Sequence, residues 1–383
     1  MIPAHSAFGA IGRPLKVLWV IKGLGAGGAE QLLVQSARYR DRNLVEPSVA
    51  YLIPEKSTLA ATLENHGCRP VRCLAARSSW DPLWIVRLRE MIRDGEFDVI
   101  HIHSPLVAVG ARLALRSLPR RSRPRIVVTE HNVWSSHTRL TRLADRLTAG
   151  RSETHLAVSD AVRDSLPARI RARTRVIRYG VDAAELRRES GARDGQRRDL
   201  GVSDDQILVG TVANLRATKG YPDLLEAAQA VVARVPNVRF VAAGRGPLEG
   251  PLRRQADQLG LGGHFTFLGY RADAVRVMSA FDVFCLPSHH EGLPIVLMEA
   301  LALGLPIVAT NVGGVGELVT DGVDAVLVPP AQPTRLADAL VALVLDPERR
   351  ADMAAAGRER SDALDAPKAV HAVEAVYAEV AGR

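Results

Sequence analysis

The chain has 383 residues, 47% hydrophobic and 24% charged, a globular composition long enough for two domains with cores of their own. Its net charge of +8 is uneven: residues 1–195 hold 32 Lys and Arg against 19 Asp and Glu, whereas residues 196–383 hold 18 against 23. Three cysteines without a Cys-x-x-Cys pair, a first segment without a charged start and apolar run, and no uninterrupted apolar stretch of about 18 residues argue against a disulfide scaffold, a secreted protein and a membrane-spanning one, and predict a cytoplasmic protein.

In chain order, Lys16–Lys22 reads as a strand, Gly23–Gly28 as a glycine-rich turn and Ala29–Tyr39 as a helix. Strands follow at Pro47–Ile53, Asp98–His103, Arg125–Thr129 and His155–Val158, with helices at Leu59–His66, Trp84–Asp94 and Leu106–Leu118. The polar, charge-rich Ala183–Leu200 reads as a linker. Beyond it lie strands at Ile207–Val212, Val238–Ala243, Phe265–Leu268, Val283–Leu286, Ile307–Ala309 and Ala325–Val328. Helices are predicted at Tyr221–Arg234 and Leu248–Leu259, from near Pro294, and across the Ala-rich Pro333–Val380. Strands alternating with helices predict parallel sheets covered on both faces, here two doubly wound α/β domains in tandem. The expected domains are 1–190, joined by about 368–383, and 191–367.

Chemistry concentrates at strand ends. Gly23–Gly28 satisfies G-x-G-x-x-G between a strand and a helix, which suits a dinucleotide, a tight turn, or close approach by another ligand. Glu55, 27 residues past Gly28, is the nearest acid at a strand end for a dinucleotide ribose. In the second domain, Gly292, Leu293 and Pro294 open a helix whose first amides attract an anion, with Pro294 expected at the first helical position. Glu291 precedes that helix and Glu299 lies eight residues on. Carboxylates beside a phosphate site are useful when they face hydroxyls, and a sugar nucleotide presents both groups. Arg216 and Lys219, on the loop after Val212, would neutralise a diphosphate without a metal. Gly244 and Gly246, and then Gly313 and Gly314, follow two further strands at the edge where open α/β sheets bind ligands. His131 ends the Arg125–Thr129 strand region. His101 and His103 point to one side of their strand and read as structural histidines satisfied by backbone.

Together these residues resemble family 4 of the retaining glycosyltransferases, which have the GT-B fold: two Rossmann-like domains facing each other across a cleft. The matching pieces are GLGAGGAE, VTEHN, TKG, the GRGP turn and EGLPIVLME, in order from about residue 16 to 380. Two positions depart: Asn214 stands where members often carry Arg, and Tyr179-Gly180 replaces an Asn-Gly after the interdomain strand. The resemblance implies a nucleoside diphosphate sugar as donor, bound mainly by the C-terminal domain, with no metal cofactor. It implies that Glu299 bonds the ribose hydroxyls and that Arg216, Lys219 and the Leu293–Ile295 backbone hold the diphosphate. It also implies that Glu291 contacts the transferred sugar, that Gly27 and Gly28 close on the donor, and that His131 sits near the anomeric centre. The last helix, around Val370–Val380, would cross back to the N-terminal domain.

The acceptor is expected on the basic half, as a lipid-linked or glycan substrate of polysaccharide or glycolipid synthesis. Arg112, Arg116, Arg120, Arg121, Arg123 and Arg125, and then Arg169, Arg171, Arg173 and Arg175, suit an anionic membrane surface or a lipid pyrophosphate, which makes the protein peripheral on the inner face of the plasma membrane. Nucleic acid is not expected, because aromatics are only 4% and no recognition motif accompanies the arginines. The competing readings are an NAD(P)-dependent Rossmann enzyme, a sugar-nucleotide epimerase of GT-B fold and a catalytically silent sugar-nucleotide-binding protein.

Overall fold

The computed structural model describes residues 13–75, 81–150 and 153–383; most of the first segment, read above for a leader, lies outside them. The chain divides into two units, one of Met1–Val158, Arg163–Ile177 and Ala366–Arg383, the other of Ser159–Val162 and Arg178–Asp365.

The first unit is built on seven strands: β1 (Leu15–Ile21), β2 (Val45–Tyr51), β3 (Val71–Cys73), β4 (Val99–Ile102), β5 (Arg125–Glu130), β6 (Thr154–Ala157) and β7 (Thr174–Val176). Their order is β3-β2-β1-β4-β5-β6-β7, and every pairing is parallel. Because helices cover both faces, the central strands are apolar at nearly every position, not at alternate ones. Leu18, Val20, Ile100 and Ile102 pack with Leu88 and Met91 of the helix Leu83–Gly95 and with Val107 and Ala111 of the helix Pro105–Arg116. The latter helix starts where it does because Ser104 Oγ accepts from Val107 N and a proline opens the first turn. The last helix, Ala366–Ala381, joins this unit through buried contacts: Tyr377 Oη accepts from Trp19 Nε1 at 3.1 Å, and Glu374 accepts from the Asp41 amide at 2.9 Å.

The second unit holds β8 (Ile207–Val212), β9 (Val238–Ala243), β10 (Phe265–Gly269), β11 (Val283–Leu286), β12 (Ile307–Thr310) and β13 (Ala325–Val328). They form a second all-parallel sheet in the order β10-β9-β8-β11-β12-β13. Its core joins Val209, Phe240 and Val283 to Leu224, Leu225, Val231, Leu340 and Leu343 of the helices Tyr221–Arg234 and Pro333–Leu345. Both sheets reverse direction of winding at their middle, between β1 and β4 and between β8 and β11. In such sheets the crevice outside the carboxyl ends of those strands is where ligands bind.

The structure corrects several expectations. Ala183–Leu200 is not a linker: it forms the helices Ala183–Glu189 and Arg193–Asp199, and both belong to the second unit. Its charges are docking groups. Arg193 donates to the Phe281 carbonyl at 2.7 Å, Arg197 to Asp282 at 2.9 Å and to the Gln206 carbonyl at 2.7 Å, and Arg187 to the Ala302 carbonyl at 2.9 Å. The first division therefore falls at Ile177/Arg178 rather than near residue 190, and the last at Asp365/Ala366. The tail is three helices, Pro333–Leu345, Pro347–Ser361 and Ala366–Ala381. The strands β3 and β7 and the helix Arg139–Thr148 had no predicted counterpart. No helix among the described residues is long and apolar enough to cross a membrane.

Candidate functional site

In the second unit the signature residues gather at the carboxyl ends of β8 and β11, the two strands flanking the switch point. The loop after β8 carries Arg216 and Lys219, passes through a short helical turn at Ala217–Lys219, and enters the helix Tyr221–Arg234 at Gly220. Gly220 is left-handed with φ of 62°, and a Cβ there would lie 1.8 Å from the Pro287 carbonyl oxygen, so the turn closes only with glycine. This approach brings the β8 and β11 loops together. The His289 amide donates to the Thr218 carbonyl at 2.9 Å, and His289 Nε2 lies 2.7 Å from Asp223.

Across this seam Lys219 Nζ reaches Glu291 Oε1 at 2.6 Å. The same oxygen accepts from Ser288 Oγ at 2.6 Å, and Thr310 Oγ1 donates to the Ser288 carbonyl. Glu291 is 5% exposed, so its carboxylate is fixed by two donors and cannot drift with solvent. Lys219 is half-buried and keeps further N–H donors for a ligand. Sequence reasoning missed Ser288, Thr310, Asp223 and His289. Ser288, three residues before Glu291, is the one with a local signal.

The following helix runs Ile295–Leu303. Pro294, with φ −74° and ψ 110°, is extended and caps it, so the helix begins one residue later than predicted. The amides after Pro294 are the unsatisfied first-turn donors of that helix. Gly292 and the turn after β12 interlock through the Gly314 amide, which donates to the Gly292 carbonyl at 2.9 Å. Glu299 lies in the middle of the helix, half-buried, with no hydrogen-bond partner among the described residues. Burial, reinforced by Glu189 of the helix Ala183–Glu189, pushes its carboxyl up to about 7. Arg216 is exposed on the same β8 loop, and its guanidinium has no partner among the described residues.

Gly244 and Gly246 follow β9 beside the β8 loop. A Cβ on Gly244, φ 153°, would lie 2.0 Å from the Ala213 carbonyl oxygen, and the Leu215 amide donates to the Arg245 carbonyl at 3.1 Å. Loop packing by itself requires both glycines, so they are not on their own a sign of a ligand. No three His, Cys, Asp or Glu side chains among the described residues converge as a metal-binding group.

In the first unit, Gly27 caps the helix Gly28–Tyr39 in extended conformation. A Cβ on Gly27 would meet the Glu30 carboxylate, which folds back over the first turn. Glu55 is exposed four residues past the end of β2. His131 directly follows β5. Its Nε2 shares a hydrogen bond with His103 Nδ1 at 3.1 Å, the two rings stack, and burial pushes His131 down to about 4. It is therefore a neutral hydrogen-bonding ring at pH 7 and not a cation. His101 and His103 share a side of β4, with ring centroids 4.1 Å apart. Their rings bond side chains, not backbone as expected: His101 bonds Tyr377 at 2.5 Å and Thr129 at 2.6 Å.

Arg112 corrects the reading of a basic surface. Its side chain is 2% exposed and lies 2.6 Å from Asp145 and 2.8 Å from Glu153. Arg175 is neutralised by Glu379 at 2.6 Å. Arg116, Arg120, Arg121, Arg123 and Arg125 remain exposed.

Comparison with known proteins places this arrangement. The model for glycosyltransferase family 4 matches residues 26–185, and that for glycosyl transferases group 1 matches 192–360. The chain is 30% identical over 318 residues to a phosphatidyl-myo-inositol mannosyltransferase of Mycolicibacterium smegmatis, covering 82% of the chain and 79% of that protein. It is 29% identical to the putative glycosyltransferase EpsF of Bacillus subtilis, covering 81% of each. The fold matches that of Anabaena HepE, solved with UDP-glucose, with a TM-score of 0.79 at 24% identity, over 95% of this chain and 98% of that one. The chain belongs to the family 4 glycosyltransferases, of GT-B type, with a group 1 glycosyl transferase domain as its second half.

Proposed function

We propose that the chain is a retaining, metal-independent hexosyltransferase that moves a sugar from a nucleoside diphosphate sugar to a lipid-linked or glycan acceptor in cell-surface polysaccharide or glycolipid synthesis. The observation that carries the donor reading is the Lys219–Glu291 pair, set at 2.6 Å between the β8 and β11 loops, with the unpartnered Glu299 one helix turn beyond. Glu299 accepts from the ribose hydroxyls. Lys219, Arg216 and the amides around Leu293–Ile295 receive the diphosphate. Gly244, Gly246 and Gly292 keep backbone close to the donor, and Gly27 and Gly28 do so in the first unit.

The step breaks the bond between the anomeric carbon and the diphosphate oxygen, and the electron pair leaves on the diphosphate. Preorganised donors at that oxygen stabilise the developing charge, usually the largest catalytic term. The acceptor hydroxyl attacks from the face the diphosphate leaves, and its proton passes to the departing oxygen. Glu291, fixed by Ser288 and Lys219, orients the transferred sugar, and His131 serves as a neutral hydrogen-bonding group for substrate. No covalent nucleophile is assigned.

The names of the relatives support this reading: a mannosyltransferase acting on phosphatidyl-myo-inositol, and a structure solved with UDP-glucose. The exposed arginines support a cytoplasmic protein that meets an anionic membrane surface. Thermal-shift screening against UDP-, GDP- and ADP-sugars and NAD(P) tests the donor. Stabilisation by a sugar nucleotide, and loss of transfer with retained donor binding in Glu291→Ala, are expected. Stabilisation by NAD(P) alone, or turnover without an acceptor, would overturn the reading.

A further inference from the structure

The helix Arg139–Thr148 in the first unit is assembled the opposite way from an ordinary surface helix. Such helices dock through an apolar stripe and turn charge to solvent. Here the one buried residue is Asp145, held 2.6 Å from the buried Arg112 guanidinium. The leucines face out: Leu140, Leu143 and Leu147 are 56%, 54% and 74% exposed. At i, i+3 and i+7 they form one stripe. Arg139, Arg142 and Arg146 repeat that spacing one residue earlier, so they form a parallel stripe about 100° around the helix. None of these three arginines has a partner among the described residues, and the only acid of the helix is the buried Asp145.

Neighbouring helices carry further exposed apolar side chains. Nine large hydrophobic side chains are exposed among the described residues, and three of them lie on this helix. Three more, Leu83, Val86 and Leu113, lie on the helices Leu83–Gly95 and Pro105–Arg116. Those two helices and Arg139–Thr148 wall an apolar pocket of about 180 Å³ that Trp84, Leu106 and Leu140 help to line. A second pocket, about 290 Å³, is lined in part by Arg146, Arg169 and Arg173.

We propose that the leucine stripe of Arg139–Thr148 inserts into the interface of an anionic lipid bilayer while Arg139, Arg142 and Arg146 engage lipid phosphates. The proposal rests on the reading above that the chain meets a membrane, and it moves the contact from the Arg112–Arg125 run to this helix. Charge complementarity selects lipid: adjacent leucine and arginine stripes match the acyl and headgroup layers of one leaflet. In a symmetric pair of chains the arginine stripes would repel each other.

Flotation with vesicles of phosphatidylglycerol and phosphatidylcholine, against phosphatidylcholine alone, tests it. The wild type is expected to float with the anionic vesicles and to be released by salt. Leu140→Gln, Leu143→Gln and Leu147→Gln together should weaken partition by at least about tenfold. Arg139→Ser, Arg142→Ser and Arg146→Ser together should weaken it and flatten its salt dependence. Both variants should keep the thermal midpoint and the shift caused by a nucleotide sugar, and Leu345→Gln in the second unit should float as the wild type does. Unchanged flotation of a folded leucine variant overturns the proposal, as does a wild-type chain that does not float. A dimer broken by the leucine variant with flotation unaltered would assign the stripe to a second copy and overturn it too. Flotation as expected, with no nucleotide sugar stabilising the chain, would keep the docking surface and sink the proposed function instead.

Discussion

Glu299 makes donor binding a titration. In the free protein its carboxyl is pushed up to about 7 by burial and by Glu189. Ribose hydroxyls donating to it favour the ionised form, so a bound donor pulls the group back down. Binding is then strongest above pH 7 and weakens as the free carboxyl takes up its proton. One unit below the midpoint, protonation outweighs ionisation about tenfold, so affinity should fall about tenfold between pH 8 and pH 6, or about 1.4 kcal/mol. The intact nucleotide sugar is the right probe, because its esterified diphosphate does not titrate in this range. Calorimetry in buffers of different ionisation enthalpy should show about half a proton released per donor bound at pH 7. Glu299→Gln should bind more weakly at pH 8 and lose the slope. Glu189→Gln should keep the slope and move its midpoint to lower pH, since one like charge is gone. Wild-type affinity that is flat from pH 6 to 8, or a slope that survives in Glu299→Gln, would refute the assignment of Glu299 to the ribose.

Lys219→Met removes a donor from Glu291 and a cation from the diphosphate; donor affinity measured by calorimetry should drop by about 2 kcal/mol or more, and Lys219→Arg should not restore it. Arg112→Met leaves Asp145 and Glu153 buried without their cation, at a cost of about 3–5 kcal/mol in urea unfolding, whereas Arg116→Met on the exposed side of the same helix should stay within about 0.5 kcal/mol. Glu130, 1% exposed, is pushed up to about 8, first by burial and then by Asp145. Its folded value lies above its unfolded one, so its contribution is complete below about pH 4.5 and is lost as pH rises through 8. Glu130→Gln should therefore gain thermal stability relative to the wild type as pH is raised across that window, and a constant difference between the two would refute it.

Much of the fold was legible because central parallel strands are buried on both faces and leave apolar runs bounded by turn residues. β8, β9, β11 and β13 lie where those runs place them, to the residue. The edge strands β3 and β7 are three residues long and carry arginines toward solvent, so they leave no such run. The loop chemistry was legible in part. Lys219 and Glu291 are 72 residues apart and still meet, because the T-K-G loop and the E-x₇-E segment mark the ends of strands that the doubly wound order makes neighbours. The partners that fix Glu291 were not legible. Ser288 and Thr310 are ordinary residues until the β11 and β12 ends are set side by side.

Charge was the property the sequence described least well, because a count of arginines does not say what each one faces. Arg187, Arg193 and Arg197 made a docked pair of helices look like a solvated linker. Arg112 looked like part of a basic surface, yet it is the buried end of an ion pair. Its partner Asp145 sits on a helix whose leucines point outward. Both misreadings follow from one premise, that charge marks the outside and leucine the inside. Where Arg112 and Asp145 reverse that premise, anchoring Arg139–Thr148 by its acid releases the apolar stripe from the core. The buried ion pair and the exposed leucines are thus one feature. Arg112→Met should weaken bilayer attachment as well as stability, because it removes the anchor that holds the leucine stripe outward.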